Sequence, residues 1–330
     1  MQKSKIAIRA DGGQQIGLGH LIRCIALAHM LKRNFEIFFY CKEIPDEILI
    51  EINSEGFNFY RLEHEEDFFE HISNNSITVL DGYSFNTDFQ IKVKSTGSKL
   101  VCIDDLHKIE FVADLIINHS PGISPLEYKT QPYTQFALGL EYSLLRPVFL
   151  DQAKKKRIIR EIKNVFICFG GSDPGNYTRK VLHTIIDYSY FRKIIVVIGP
   201  AYHDIESIES LIHSDFRIDL RQSLTSHKML MVMKEAELAI VPSSGILYEA
   251  FAAGCKVISG KVMDNQIFFY ENLKKEGLFI DAGDFSDAKL KNAMSEVSTS
   301  PKGHEKVIDG FAGSRILNLF DRLRNETHLI

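Results

Sequence analysis

A histidine stands beside two glycines where a strand hands over to a helix. The run Ile16-Gly17-Leu18-Gly19-His20 follows a short strand-like segment, residues 5–10, and opens a helix-like stretch, residues 21–33. In an open α/β sheet that junction lies at the carboxyl edge, where ligands bind. Gly17 and Gly19 let a phosphate or a sugar approach the backbone closely. A histidine at a helix N-terminus feels the positive end of the helix dipole, which disfavours imidazolium. A neutral imidazole can take a proton from water. Arg9-Ala10-Asp11 brackets the same loop. The Asp11 carboxylate either orients and polarises His20 or caps the turn. The loop is not a dinucleotide fingerprint, because the third glycine is missing and no acidic residue ends the next strand.

Two further loops have the composition of diphosphate sites. Gly170-Gly171-Ser172-Asp173-Pro174 sits between a strand and a helix, where backbone N–H groups and a serine hydroxyl suit a pyrophosphate. The alternative is a tight turn with Ser172 or Asp173 as helix cap. No lysine follows, so the loop is not that of a P-loop ATPase. Pro242-Ser243-Ser244-Gly245 likewise precedes a helix, with Glu249 one turn on. A carboxylate there accepts both hydroxyls of a ribose, or it is simply a solvated helix residue. No Asp-x-Asp pair occurs, so a transferase that binds its donor through a metal is not indicated. The expected chemistry is metal-independent and needs no cofactor, with helix N–H groups stabilising a departing diphosphate.

The elements that must position these groups alternate. Strands are expected at residues 6–9, 36–41, 78–81, 100–104 and 114–118 of the first half. Several are short apolar runs rather than alternating ones, as expected of parallel strands covered on both faces. Leu21, Cys24, Ile25, Ala28 and Leu31 form a helical apolar stripe. The pattern changes near Arg146-Pro147 and restarts with strands at 165–169, 194–198, 238–241 and 257–259 and a helix at 246–253. The basic stretch 153–163 reads as a surface connector or bridging helix, or as a phosphate-binding arm. Residues 315–324 read as a last amphipathic helix that packs back across the domain junction. The expected fold class is α/β, with two Rossmann-like domains, parallel sheets and an interdomain cleft. The domains are 1–150, carrying the histidine loop, and 151–330, binding the nucleotide diphosphate.

Composition narrows the function classes. A chain of 330 residues suggests two domains. A net charge of −4 argues against nucleic acid as a partner. The five cysteines (Cys24, Cys41, Cys102, Cys168, Cys255) are widely spaced with no Cys-x-x-Cys, so neither a zinc site nor a disulfide framework is expected. They read as small buried hydrophobes in a reducing compartment. The first apolar run is short and reads as a strand, not a signal peptide. No run reaches membrane-spanning length. A cytoplasmic monomer with no stable membrane association is expected.

With these residues in place, the chain resembles the UDP-2,4-diacetamido-2,4,6-trideoxy-β-L-altropyranose hydrolases of pseudaminic acid synthesis, which are similar to the glycosyltransferases of the GT-B fold. The resemblance spans nearly the whole chain. It rests on Arg9-Ala10-Asp11, Gln15 to His20 with Arg23, Asp81-Gly82-Tyr83, Ile103-Asp104-Asp105-Leu106 and Leu145-Arg146-Pro147. It continues through Phe169 to Pro174, Ser243-Ser244-Gly245, Glu249, Asp264-Asn265-Gln266 and Asp309-Gly310 with Arg315. It implies that His20 deprotonates or positions the water that attacks the anomeric carbon, with Asp11 beside it. Tyr83 and Asn265 would line the sugar pocket. Gly171, Ser172, Ser243 and Ser244 would hold the diphosphate, and Glu249 the ribose. Arg9, Gly17, Gly19, Gly245 and Gln266 complete the substrate-contacting set. The implied reaction is an inverting hydrolysis of a UDP-sugar, with water in place of an acceptor and UDP leaving. Two residues depart from the family's habit. Gly82 stands where histidine or another polar residue is usual, and Tyr248 where tryptophan often precedes the ribose-binding glutamate. The competing readings are a GT-B glycosyltransferase with a real acceptor and a non-catalytic sugar-nucleotide binding module.

Overall fold

Ile6, Ala7 and Ile8 are consecutive and all fully buried. Side chains alternate between faces along a strand, so β1 (Ser4–Ala10) is covered on both sides. The two faces are separate cores. Ile6 and Ile8 pack with Leu21, Ile25 and Phe39; Ala7 packs with Tyr40, Leu80 and Leu100 on the other. Doubly covered apolar strands of this kind form a parallel sheet.

The computed structural model describes residues 3–13, 16–263, 266–297 and 307–325. It divides into two units, Met1–Pro147 with Phe311–Ile330, and Val148–Gly310. In the first unit β1 is followed by α1 (Gly19–Leu31), β2 (Phe35–Cys41), α2 (Asp46–Ser54), β3 (Asn58–Arg61) and β4 (Ser76–Asp81). Then come α3 (Thr87–Ser95), β5 (Lys99–Ile103), β6 (Glu110–Phe111), β7 (Leu115–Asn118), β8 (Lys129–Thr130) and β9 (Gln135–Leu138). The main sheet has the order β3-β2-β1-β4-β5-β7-β9, and its pairs are parallel. The pair β6-β8 is a small separate sheet.

The second unit begins in α4 (Pro147–Ala153). It continues with β10 (Asn164–Ile167), α5 (Tyr177–Ile185), β11 (Lys193–Ile198), α6 (Glu206–Ser214), β12 (Ile218–Gln222) and α7 (Ser226–Glu235). Then come β13 (Leu238–Pro242), α8 (Gly245–Ala252), β14 (Lys256–Gly260), α9 (Ile267–Lys275), β15 (Ile280–Asp281) and α10 (Asp287–Glu296). Its parallel sheet runs β12-β11-β10-β13-β14-β15. Val165, Ile167, Ile194 and Val196 face one core, and the interleaved Phe166 and Ile195 are equally buried. Both units are therefore α/β with parallel, doubly covered sheets.

The last helix, α11 (Ala312–Asn325), lies with the first unit, unlike a division that gives everything after residue 150 to the second. Its stripe of Ala312, Ile316, Phe320 and Leu323 is buried. Phe320 meets Phe35 edge-on at 6.2 Å, and Arg324 lies over the Phe35 ring at 5.1 Å.

The basic stretch 153–163 is no bridging helix, because α4 stops at Ala153 and residues 156–163 have no regular structure. Arg157 explains the path. Its guanidinium donates to the carbonyls of Met233, Lys234, Ala236 and Ala253, at 2.7–3.3 Å, and reaches Cys255 Sγ. The head that would serve a phosphate is thus spent on the C-terminal ends of α7 and α8. Arg157→Ala leaves several of these carbonyls without donors. We expect a loss of about 2 kcal/mol, read as a fall of roughly 5 °C in the thermal unfolding midpoint.

Candidate active site

Register places three acidic residues at one edge of the first sheet. Ala10 of β1 pairs with Asp81 of β4, and Asp81 with Ile103 of β5, just before Asp104 and Asp105. The β1–α1 loop closes on itself through a bridge between Gly13 and Gly17, with N–H···O distances of 3.2 and 2.8 Å. Gly17 has φ +80°, which glycine adopts without strain. A Cβ at Gly17 or Gly19 would meet nothing within 4 Å, so the loop keeps the open backbone its glycines suggest. α1 then starts at Gly19 with no side chain capping it.

His20 occupies the first turn of α1 and is buried. Its Nδ1 lies 2.7 Å from Oδ1 of Asp81. A neutral ring that donates from Nδ1 carries its lone pair on Nε2, so the carboxylate fixes the tautomer a general base needs. One turn further on, Arg23 grips Asp81 with both arms: Nε to Oδ2 at 2.6 Å and Nη2 to Oδ1 at 2.5 Å. Its Nη1 reaches Asp105 Oδ2 at 3.0 Å. Cys24 donates more weakly to Asp81 Oδ2, at 3.5 Å. Burial alone would raise the Asp81 carboxyl; the Arg23 guanidinium and the His20 ring overcome it and hold it well below the usual carboxylate range. Tyr83 stands edge-on to the His20 ring at 4.9 Å and donates to Asp105 Oδ2 at 3.2 Å. Burial and the neighbouring Asp105 push its hydroxyl up, so it stays a donor. Tyr83 is half exposed, which puts a solvent-facing ring beside a buried histidine.

The carboxylate beside His20 is therefore Asp81, not Asp11. Asp11 accepts the backbone N–H groups of Lys42 and Glu43 at 2.7 and 3.0 Å and pairs with Arg9 Nη2 at 2.7 Å. Burial would raise its carboxyl, but Arg9 lowers it further. It caps a turn, the alternative its position left open. Arg9 is itself buried and held by both oxygens of Glu65 at 2.8 Å. Arg9 and Asp11 thus pair with each other and tie the end of β1 to the residues after β2 and to Glu65, while the carboxylate on His20 is that of Asp81.

In the second unit β10 pairs with β13, so the two serine loops share one sheet edge. They differ at the helix ends. Asp173, at φ +42°, accepts the N–H groups of Tyr177 and Thr178 at 2.9 and 2.7 Å. The start of α5 is therefore closed by the chain's own carboxylate, with Gly170, Gly171 and Ser172 partly exposed before Asp173. Gly199 braces this loop: a Cβ there would lie 2.3 Å from the Gly171 carbonyl oxygen. At α8 the end is open. Ser244 does not cap it, Gly245 is exposed, and a Cβ at Gly245 would meet nothing within 4 Å. Its first N–H groups have no intrahelical acceptor. Ser243 is buried, its hydroxyl 3.0 Å from that of Ser259, so it shapes the loop. Glu249 is buried and not a solvated helix residue. Tyr248 is buried with its ring edge-on to Phe269 at 4.9 Å. Gln266 accepts the Val262 N–H through its side-chain oxygen at 3.1 Å. Asn265 lies outside the described residues.

Asp81, Arg23, Asp105 and Gly199 are the site residues that spacing did not single out. The available signal was positional: an acid ending the apolar run 76–81, and a pair of acids following 99–103.

No protein-family model matches the chain. It is 28% identical over 305 residues to the protein MJ1062 of Methanocaldococcus jannaschii, covering 84% of this chain; the chain spans only 62% of that relative's length. It is 24% identical over 322 residues to the spore coat polysaccharide biosynthesis protein SpsG of Bacillus subtilis, covering 92% of this chain and 94% of that protein. It is also 24% identical over 257 residues to the UDP-2,4-diacetamido-2,4,6-trideoxy-β-L-altropyranose hydrolase of Campylobacter jejuni, with coverages of 74% and 87%. Among solved structures, MurG of Acinetobacter baumannii superposes with a TM-score of 0.65 at 10% identity, covering 97% of this chain and 99% of that one. MnaA of S. aureus with UDP gives 0.64 at 13%, covering 98% and 97%. At such identities the likeness establishes the fold, which is GT-B. No described helix is long and apolar enough to cross a membrane. By sequence the chain is a homologue of SpsG and of the altropyranose hydrolase, carried on two Rossmann-like units of the GT-B kind.

Proposed function

We propose that this chain is an enzyme that hydrolyses a UDP-linked 2,4-diacetamido-2,4,6-trideoxy hexose to UDP and the free sugar, in pseudaminic acid biosynthesis. The observation that carries the reading is the buried Asp81–His20 pair at the carboxyl edge of the first sheet. Water attacks the anomeric carbon with inversion. The oxygen–carbon bond forms as the bond from that carbon to the phosphate oxygen breaks. The water proton passes to His20 Nε2, and Asp81 stabilises the imidazolium that results. The diphosphate takes the open N-terminus of α8, with Ser244, Gly171 and Ser172 beside it, so its growing charge meets N–H dipoles. Glu249 accepts the ribose hydroxyls. No metal or cofactor is called on.

The test is incubation of pure protein with the UDP-sugar in oxygen-18 water, without acceptor. Stoichiometric UDP release with label in the sugar supports the hydrolase; label in UDP places attack at phosphorus and sinks the mechanism. No release without a sugar or lipid acceptor identifies a GT-B transferase instead. Binding with zero turnover under every condition identifies a binding module.

The same reading gives a prediction for Gly199. A methyl group there displaces the Gly171 backbone, and with it the loop assigned to the diphosphate. Gly199→Ala is expected to weaken UDP about tenfold by calorimetry, roughly 1.4 kcal/mol. An unchanged affinity removes Gly171 and Ser172 from the diphosphate site.

A further inference from the structure

Residues 154–157 read Lys-Lys-Lys-Arg in a chain whose net charge is −4, so positive charge is concentrated after α4. Arg157 holds this segment against the C-terminal ends of α7 and α8, which lead directly into β13 and β14. The segment therefore runs along the amino edge of the second sheet, opposite the serine loops. Lys163, Arg192 and Arg217 immediately precede β10, β11 and β12, which lie side by side. The Arg192 N–H donates to the Lys163 carbonyl at 2.7 Å, and the Ile194 N–H to that of Arg217 at 2.8 Å. One surface thus carries Lys155, Lys156, Arg160 and Arg192, all exposed. Its acids are already engaged. Asp151 pairs with Lys154, Glu161 with Lys163, Asp215 with Arg217 and Glu235 with Lys193. Glu237 accepts the backbone N–H groups of Lys163 and Asn164.

Apolar side chains stand among these cations. Ile158 is 68% exposed, and Phe216, next to Arg217, is 98% exposed. Arg217 also donates to the carbonyls of Tyr188 and Phe191, which sets the turn carrying the half-exposed Tyr190 against it. A protein partner grips through a central anchor in a pocket, whereas these are separate tips with Lys163 and Arg192 between them. A nucleic acid answers the cations but not an exposed isoleucine. An anionic bilayer answers both, with headgroups for the cations and the acyl boundary for the tips. We propose that the amino edge of the second sheet docks reversibly on an anionic lipid bilayer, with Lys155, Lys156, Arg160 and Arg192 on the headgroups and Phe216 and Ile158 at the acyl boundary. The open end of α8 lies at the opposite edge of the same sheet, so docking leaves it accessible. The docking does not depend on the reaction proposed above.

The experiment sediments the full chain with sucrose-loaded vesicles of phosphatidylcholine, alone or mixed with phosphatidylglycerol. The wild type is expected to partition about tenfold or more in favour of the anionic vesicles, and less as salt is added. Lys155→Gln with Lys156→Gln weakens that partitioning about thirtyfold, and Phe216→Ser about fivefold. Both variants keep the wild-type unfolding midpoint and UDP affinity, since the side chains changed are exposed and lie at the other edge from the serine loops. The chain has no tryptophan, so Phe216→Trp reports on its own position. Leu126→Trp, at a 95% exposed residue of the first unit, is the control. Emission that moves to the blue on anionic vesicles at position 216 and not at 126 supports docking. No partitioning, equal partitioning onto both lipids, or variants that bind like the wild type overturn it. Loss with the lysine pair while Phe216→Ser binds normally and Phe216→Trp emission stays unmoved marks a surface for charge alone, such as an acidic protein offers, and overturns the bilayer.

Discussion

Asp81→Asn is expected to lower the rate of UDP release by about three to four orders of magnitude, the scale seen when the carboxylate behind a catalytic histidine is made an amide. Asp81 accepts from His20 Nδ1 and from two nitrogens of Arg23. An asparagine turns its amide oxygen to Arg23, the stronger donor, and its NH2 to His20. Nδ1 must then accept, the ring proton moves to Nε2, and the lone pair aimed at water is gone. The change also leaves Arg23 with less compensation for its burial. Breaking a buried ion pair from one side costs about 3–5 kcal/mol, so the unfolding midpoint falls as well. The two effects separate by assaying well below the lowered midpoint, where a merely loosened protein regains most of its rate. The pH dependence has a definite sign. The folded Asp81 carboxyl lies below its unfolded value of about 3.9. Its contribution is present above that pH and is lost as the pH falls toward the depressed value. Acid unfolding curves of the two proteins should therefore converge below about pH 4. Parallel curves there would show that Asp81 is not the ionised partner of Arg23.

Much of this was legible in the sequence because it depends on local pattern. Short β-branched and aromatic runs such as Ile6-Ala7-Ile8 and Val165-Phe166-Ile167 read as strands covered on both faces, and β1, β4, β10 and β13 fall where the apolar residues do. The strands that escaped are edges and late additions. β3 reads Asn-Phe-Tyr-Arg and is mostly exposed, and β12 reads Ile-Asp-Leu-Arg-Gln and is half exposed. Neither has the run of buried residues that marks a central strand. The histidine loop was legible for the same local reason. Its partner was not, since Asp81 is 61 residues away and reaches His20 only because β4 pairs beside β1. Asp11, eleven residues into the chain and nine from His20, was the carboxylate that spacing offered. Its true ligands, the amides of Lys42 and Glu43, come from the far end of β2. The closure of α5 by Asp173 is the helix-cap alternative that the loop's residues offered; the left-handed backbone at this non-glycine residue is the part that composition does not report.

His20→Ala should reduce UDP release by about two to four orders of magnitude, the usual worth of a positioned general base. UDP affinity should stay within about threefold, because the groups assigned to UDP all belong to the other unit. A fall in rate alone does not separate a base from a residue that merely places the water, and Tyr83 makes the distinction necessary. Its ring lies edge-on to the histidine, so removing the imidazole also frees the tyrosine to move. Adding imidazole to His20→Ala resolves the point. A proton acceptor that diffuses into the vacated space restores part of the rate, increasingly as the neutral fraction of the added base grows with pH. A positioning role gains nothing from it, because the geometry fixed by the Asp81 hydrogen bond and the α1 backbone is not supplied by a free ring. His20→Asn is the companion variant, since its side chain can hold a water without taking its proton. Rescue of the alanine variant, with the asparagine variant as slow as the alanine variant alone, assigns the proton to His20. An asparagine variant within about tenfold of the wild type assigns it elsewhere, and the buried Asp81–His20 pair then serves to build the loop.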